Sequence, residues 1–227
     1  MKILAIDTST VQGSVAILAG EKIFEENYLA DSSHAETLLQ VVEKVLSKAR
    51  LKIKDIEGIA VGIGPGSFTG LRIGLATAKG IAFANQIPIV GISSLRAIAE
   101  HVIASGAKQS SELIVPVINA KRGEVYAAAY TSSCYGATVL RCCGEIVINE
   151  CAISEEELKE KLENLGRKYH IEKTYPLASN VARLALEQFE QSNTDDLSSL
   201  IPNYIRKSAA EAKIDKSNNN AYALDTH

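Results

Sequence analysis

Ile59-Ala60-Val61-Gly62-Ile63-Gly64-Pro65-Gly66-Ser67-Phe68-Thr69-Gly70 is the stretch that decides how the chain folds. Its opening residues form an unbroken apolar run, the pattern of a strand buried on both faces. The run passes into glycines set around Pro65, which let the backbone turn through dihedrals closed to other residues. Ser67 or Thr69 then stands where a helix N-cap belongs, and a helix is predicted from there to about Ala84. A buried strand feeding directly into a helix points to an α/β layered fold. The segment fits neither the Walker pattern, which needs Gly-Lys-Ser/Thr, nor the dinucleotide pattern, which needs glycine at position 67. The loop Gly64, Pro65, Gly66, Ser67 and Thr69 is therefore either a structural strand-to-helix turn or an anion or partner contact at the helix start.

Upstream, residues 3–6, 14–18 and 22–28 alternate and break as three short strands of an antiparallel meander. The first ends in Asp7-Thr8-Ser9-Thr10. An acidic residue at a strand end can hold a metal-bound water while hydroxyls and N–H groups cradle phosphate, but the same residues also make a plain hydrogen-bonded turn. A helix over 34–50 follows, capped by Ser32 or Ser33 with Glu36 completing a capping box, and Leu38, Leu39, Val42, Val45, Leu46 and Ala49 recur on it at helical spacing.

The helix after the glycine loop carries small residues in two rows: Gly70, Gly74 and Ala78, then Ala76, Gly80 and Ala84. Each interior glycine costs about 1 kcal/mol relative to alanine, so their accumulation implies a close approach by a neighbour. Spacing does not say whether that neighbour is the 34–50 helix alone or a second subunit as well. Downstream, a strand at 89–91 and a helix capped by Ser93 or Ser94 lead to a linker at 106–111. Strands at 113–118, 124–131 and 138–148 and helices at 154–165 and 178–191 then repeat the plan in shorter form.

The 227 residues are 46% hydrophobic and 22% charged, enough for one sizeable core or two small ones. A net charge of -3 offers no basic field for nucleic acid. Asp7 interrupts the opening apolar run before it could serve as a signal-peptide core, and the apolar stretch 73–84 contains Lys79, so export and membrane spanning are not expected. Cys134, Cys142, Cys143 and Cys151 lack metal spacing and read as reduced, structural thiols of a cytoplasmic protein.

The segments Ile6-Asp7-Thr8-Ser9-Thr10, Gly62-x-Gly64-Pro65-Gly66-Ser67-Phe68-Thr69-Gly70-Leu71-Arg72-Ile73-Gly74 and Val90-Gly91-Ile92-Ser93-Ser94-Leu95 resemble the TsaB family, also called YeaZ. Lys121-Arg122-Gly123-Glu124-Val125-Tyr126 and Pro202-x-Tyr204-Ile205-Arg206-Lys207 are similar to its later signatures, while the stretch between diverges and Asn119 stands where many relatives have Asp. The resemblance implies an actin-like (ASKHA, ribonuclease H-like) two-lobed fold with mixed five-stranded sheets and an abbreviated second lobe. It would divide as 1–105, 106–207 and a flexible tail at 208–227. It also implies a scaffold role in making threonylcarbamoyladenosine in tRNA next to the anticodon, with the catalytic paralogue TsaD and the ATPase TsaE as partners and a homodimer in isolation. The expected contact is the first two helices, through His34, Leu38, Val42 and Val45 on one and Gly70, Arg72, Ile73, Gly74, Thr77, Ala78 and Ile81 on the other.

Such a chain is expected to be silent alone. Asn119-Ala120-Lys121-Arg122-Gly123 stands where a second phosphate loop would need glycines, there is no Gly-Gly pair, and no glycine follows Gly166. His34, His101, His170 and His227 have no histidine partner one turn away, and no His-Glu-x-x-His occurs, so neither a metal nor a peptidase site is expected. No cofactor is expected except a nucleotide at an intersubunit site, and no direct tRNA binding by this chain alone. The competing reading is an actin-like ATPase or small-molecule kinase using Asp7 and the turn from Thr8 to Thr10; a third is a self-associating interaction protein.

Overall fold

A computed structural model describes residues 1–29, 34–104, 112–132 and 144–206. The elements run β1 (Lys2–Asp7), β2 (Gln12–Ala19), β3 (Lys22–Leu29), α1 (His34–Ala49), β4 (Gly58–Gly64), α2 (Phe68–Asn85), β5 (Ile89–Ser93) and α3 (Ser94–Ala104). They continue with β6 (Leu113–Lys121), β7 (Glu124–Thr131), β8 (Ile146–Ser154), α4 (Glu155–Asn164), β9 (Tyr169–Glu172) and α5 (Ala178–Glu190). They build the two sheets of an actin-like fold. The first has five strands in the order β3-β2-β1-β4-β5, with the meander antiparallel and β1, β4 and β5 parallel.

β1 is buried on both faces because helices cover both. Leu4 and Ile6 join Val15, Ile17, Ile59 and Val61 beneath Leu38, Val42 and Val45 of α1 and Leu75, Ala78 and Ala82 of α2. On the opposite face, Ile3, Ala5, Ala16, Leu18, Ala60 and Val90 meet Ala178, Val181, Ala182 and Ala185 of α5. The second sheet packs α3 through Leu95, Ile98, Ala99 and Val102 on one side, and α4 through Leu158 and Leu162 on the other. The two halves thus exchange helices: α3 follows the strands of the first sheet but packs on the second, and α5 does the reverse.

Three expectations change. The second sheet has four strands among the described residues, in the order β8-β7-β6-β9, where five were expected. β9 escaped the pattern because four residues, Tyr169 to Glu172, are too few to show a period. The strand expected at 138–148 falls partly outside the described residues, and β8 runs on to Ser154. Asn149, Glu150 and Cys151 look like a strand's end in sequence, yet Glu150 is held in place by side chains of Ser93 and Asn203 and Cys151 stands opposite Ala127. The capping box of Ser33, the linker at 106–111, the tail at 208–227 and Cys134, Cys142 and Cys143 lie outside the described residues, whereas Cys151 is a half-buried free thiol.

Candidate functional site

The turn after β1 and the loop after β4 are locked into each other. Asp7 is fully buried; its Oδ1 accepts from Ser9 N at 2.9 Å and Ser9 Oγ at 2.6 Å, and its Oδ2 from Ser94 Oγ at 2.7 Å. Burial pushes its carboxyl above the ordinary 3.8, against the opposing pull of the Ser9 and Ser94 bonds. Thr8 Oγ1 donates to Gly70 O at 2.7 Å, Ser9 O accepts from Ser67 N at 2.6 Å, and Thr10 Oγ1 donates to Gln12 O at 2.8 Å. The hydroxyls of Thr8, Ser9 and Thr10 are therefore each engaged within the protein itself.

Glycines make this closure possible. A Cβ on Gly66 would stand 2.2 Å from Ser9 O, one on Gly70 2.1 Å from Thr8 O, and one on Gly74 2.1 Å from Thr8 Oγ1. Gly64 has φ +98, and Pro65 is buried. Ser67 caps α2 by accepting from Gly70 N at 3.3 Å, while Thr69 is exposed and takes no cap bond. The loop thus forms the turn that packs the start of α2 against residues 8 and 9.

Residues 119–123, which stand where a second phosphate loop would need glycines, form the tight tip of the β6–β7 hairpin. Lys121 and Arg122 hold φ of 63 and 58, Gly123 holds 78, and Asn119 Oδ1 accepts from Lys121 N at 2.7 Å. Among the described residues no group of three His, Cys, Asp or Glu side chains stands close enough to hold a metal ion. His170 Nε2 pairs with Glu172 Oε2 at 3.0 Å. A cavity of about 410 Å³ opens beside β5, but its polar lining is engaged: Glu150 with Ser93 and Asn203, Asp195 with Gly91 N, Arg96 with Gly144 O.

The helix surface expected to meet a partner divides in two. Leu38, Val42 and Val45 sit in the core beneath α1, and Gly70, Gly74 and Ala78 are buried against the Thr8 turn and the sheet. These six residues are covered by the chain's own fold, where their spacing seats α1 and α2 on the first sheet. Arg72 is exposed, Ile73, Thr77 and Ile81 are half-buried, and the side chain of His34 lies outside the described residues. The second row, Ala76, Gly80 and Ala84, faces outward, and a Cβ on Gly80 would meet nothing within 4 Å. Phe83 of the same helix is 77% exposed, and Leu39 of α1 is 52% exposed. Both were missed as candidates, although Phe83 lies seven residues beyond Ala76, hence on the same face.

The model of the family TsaD: tRNA N6-adenosine threonylcarbamoyltransferase matches residues 27–151, more than half the chain. A tRNA threonylcarbamoyladenosine biosynthesis protein TsaB of Buchnera aphidicola (Schizaphis graminum) is 32% identical over 167 residues, covering 74% of this chain and 75% of the relative. The chain belongs to the TsaB family. The TsaB of Escherichia coli K12 is 36% identical over 130 residues, which cover 57% of this chain and 55% of that one, so the chain spans about half the length of this relative. YeaZ from Pseudomonas aeruginosa superposes with a TM-score of 0.73 over 89% of this chain and 99% of that one, at 24% identity, which shows a shared fold. No helix among the described residues is long and apolar enough to cross a membrane.

Proposed function

We propose that the chain is a non-catalytic scaffold that binds and orients a TsaD paralogue during formation of threonylcarbamoyladenosine in tRNA. The observation that carries this reading is a pairing of opposites on α2. Its inner row seals the nucleotide turn, with Thr8 Oγ1 bonded to Gly70 O at 2.7 Å, while its outer row of small residues lies open beside Phe83. A helix with a flat small-residue face lets a second helix come close, and a large exposed aromatic beside it supplies apolar area for an interface. Chemistry would then belong to the paralogue, with TsaE joining the pair and any nucleotide held between subunits. The isolated chain would pair with itself through the same face and give it up to TsaD. The net charge of -3 supports leaving tRNA to the partners, in the cytoplasm where tRNA is modified.

Titration calorimetry with purified TsaD tests the reading. Gly80→Arg, which fills open space and leaves the fold alone, is expected to abolish binding and stop reconstituted threonylcarbamoyladenosine synthesis. Magnesium-dependent ATP turnover by the isolated chain, lost in Asp7→Ala, would establish the ATPase reading instead.

A further inference from the structure

The amino-terminal end of α2 presents a cation that is clamped on one side and open on the other. The Arg72 guanidinium carbon lies 3.8 Å from the centroid of the Phe68 ring and 6.0 Å from that of Tyr204. Its Nε donates to Tyr204 Oη at 3.0 Å, and the two rings stand 5.0 Å apart. Tyr204 is itself anchored from both lobes: its neighbour Asn203 donates N to Ile63 O at 2.7 Å and Nδ2 to Glu150 Oε2 at 2.6 Å. Among the described residues, neither Nη atom of Arg72 has a hydrogen-bond or ion-pair partner.

An exposed arginine normally forms weak ion pairs because pairing must freeze a long side chain. Here folding has already frozen it, so the planar fork is set for a carboxylate. The surroundings favour the same ligand. The first turn of α2 contains no acidic residue to offset the positive end of the helix dipole. Arg72 also heads the open row that continues, four residues at a time, through Ala76, Gly80 and Ala84, all exposed.

We propose that Arg72 is the specificity anchor of this face: its Nη1 and Nη2 take, end-on, the carboxylate of an acidic side chain on a partner helix lying along that row. Tyr204 is a positioning residue, acting through Arg72. The inference rests on the scaffold reading and names the chemistry of its contact, so the partner helix belongs to TsaD and carries an Asp or Glu at the end that meets the start of α2.

The test is calorimetry of the full chain with TsaD at low and high salt, with urea midpoints to verify folding. Arg72→Gln is expected to weaken binding about 30-fold, the scale of a hot-spot residue, and to flatten the salt dependence. Arg72→Lys is expected to be nearly as weak, because an ammonium cannot offer two parallel N–H groups. Tyr204→Phe, which frees the guanidinium without removing it, is expected to cost a few-fold in affinity and keep the salt dependence. Wild-type affinity in Arg72→Lys, or in folded Arg72→Gln, would overturn the anchor. If Gly80→Arg abolishes binding while Arg72→Gln leaves it intact, the face stands and the anchor falls. Weakening of self-association alone by Arg72→Gln would also overturn it. A wild-type chain that does not bind TsaD at all would refute the scaffold reading.

Discussion

Gly74→Ala and Gly80→Ala, the same change six residues apart on one helix, are expected to shift stability in opposite directions. In an unhindered helix the added methyl stabilises by about 1 kcal/mol. At Gly80 nothing lies within 4 Å of the new Cβ, so that gain is realised whole. At Gly74 the Cβ would stand 2.1 Å from Thr8 Oγ1, 3.3 Å from its Cβ and 3.4 Å from its Cγ2. Thr8 is 2% exposed and its hydroxyl bonds Gly70 O at 2.7 Å, so it cannot swing into solvent. Overpacking costs about 1–3 kcal/mol and an orphaned buried hydroxyl about 1–3 more, which leaves a net loss near 3 kcal/mol after the helical gain. For a chain of this size that is a fall in Tm of roughly 6–12 °C, against a rise of about 2–4 °C for Gly80→Ala. Urea unfolding followed by far-ultraviolet circular dichroism measures both, with an unchanged m-value showing that the folded states are comparable. Adding Thr8→Ala to Gly74→Ala should recover part of the loss by removing the atom that is struck. Equal stability of Gly74→Ala and wild type, or destabilisation by Gly80→Ala, would refute the division of α2 into a sealed and an open face.

Asp7→Asn should leave TsaD binding and threonylcarbamoyladenosine synthesis within about 2-fold of wild type, because the buried group closes a turn; a loss of more than tenfold in synthesis with binding intact would mean that it does chemistry. Glu100, packed between α3 and α5 with Arg96, Arg183 and Glu187 around it, is pushed up from an ordinary 4.5 to about 7 by burial, against the pull of the two arginines. The folded chain therefore keeps a proton that the unfolded chain has lost, so this group's contribution falls as pH rises from 4.5 through 7. Glu100→Gln should be more stable than wild type by about 1–3 kcal/mol at pH 8 and nearly equal to it at pH 4.5, as read from urea midpoints. Asn203→Ala, which cuts the link from Ile63 to Glu150, should leave the Glu150 carboxylate short of a donor and cost about 1–3 kcal/mol. Hydrogen exchange should show faster opening where Asn203 bridges β4 and β8.

Much of the first lobe was legible because each element announced itself with its own period. The meander over β1 to β3, the helices α1 and α2 and the cap at Ser67 appear where alternation, 3.6-residue spacing and an N-cap hydroxyl placed them. The candidate site was half legible. Two rows of small residues were plain on α2, but a row of glycines looks the same whether it admits a loop of its own chain or a foreign helix, and only the fold set Thr8 against Gly70 and Gly74. Leu38, Val42 and Val45, named for the partner contact, lie in the chain's own core, since an apolar stripe specifies burial and not what buries it. The clamp on Arg72 was invisible, since its Tyr204 partner is 132 residues away. In the second lobe β8 was blurred because its polar Glu150 is satisfied by distant Ser93 and Asn203, and β9 because four residues show no period.

The seating of α5 on the first sheet has a consequence for synthesis. A nascent chain released from the ribosome through Ala104 has all five strands of that sheet but only one greasy face covered; Ala5, Ala16, Ala60 and Val90 wait for Val181, Ala182 and Ala185. The amino-terminal half therefore stays unfinished until α5 has been translated, and its exposed face is a chaperone's natural target throughout that interval.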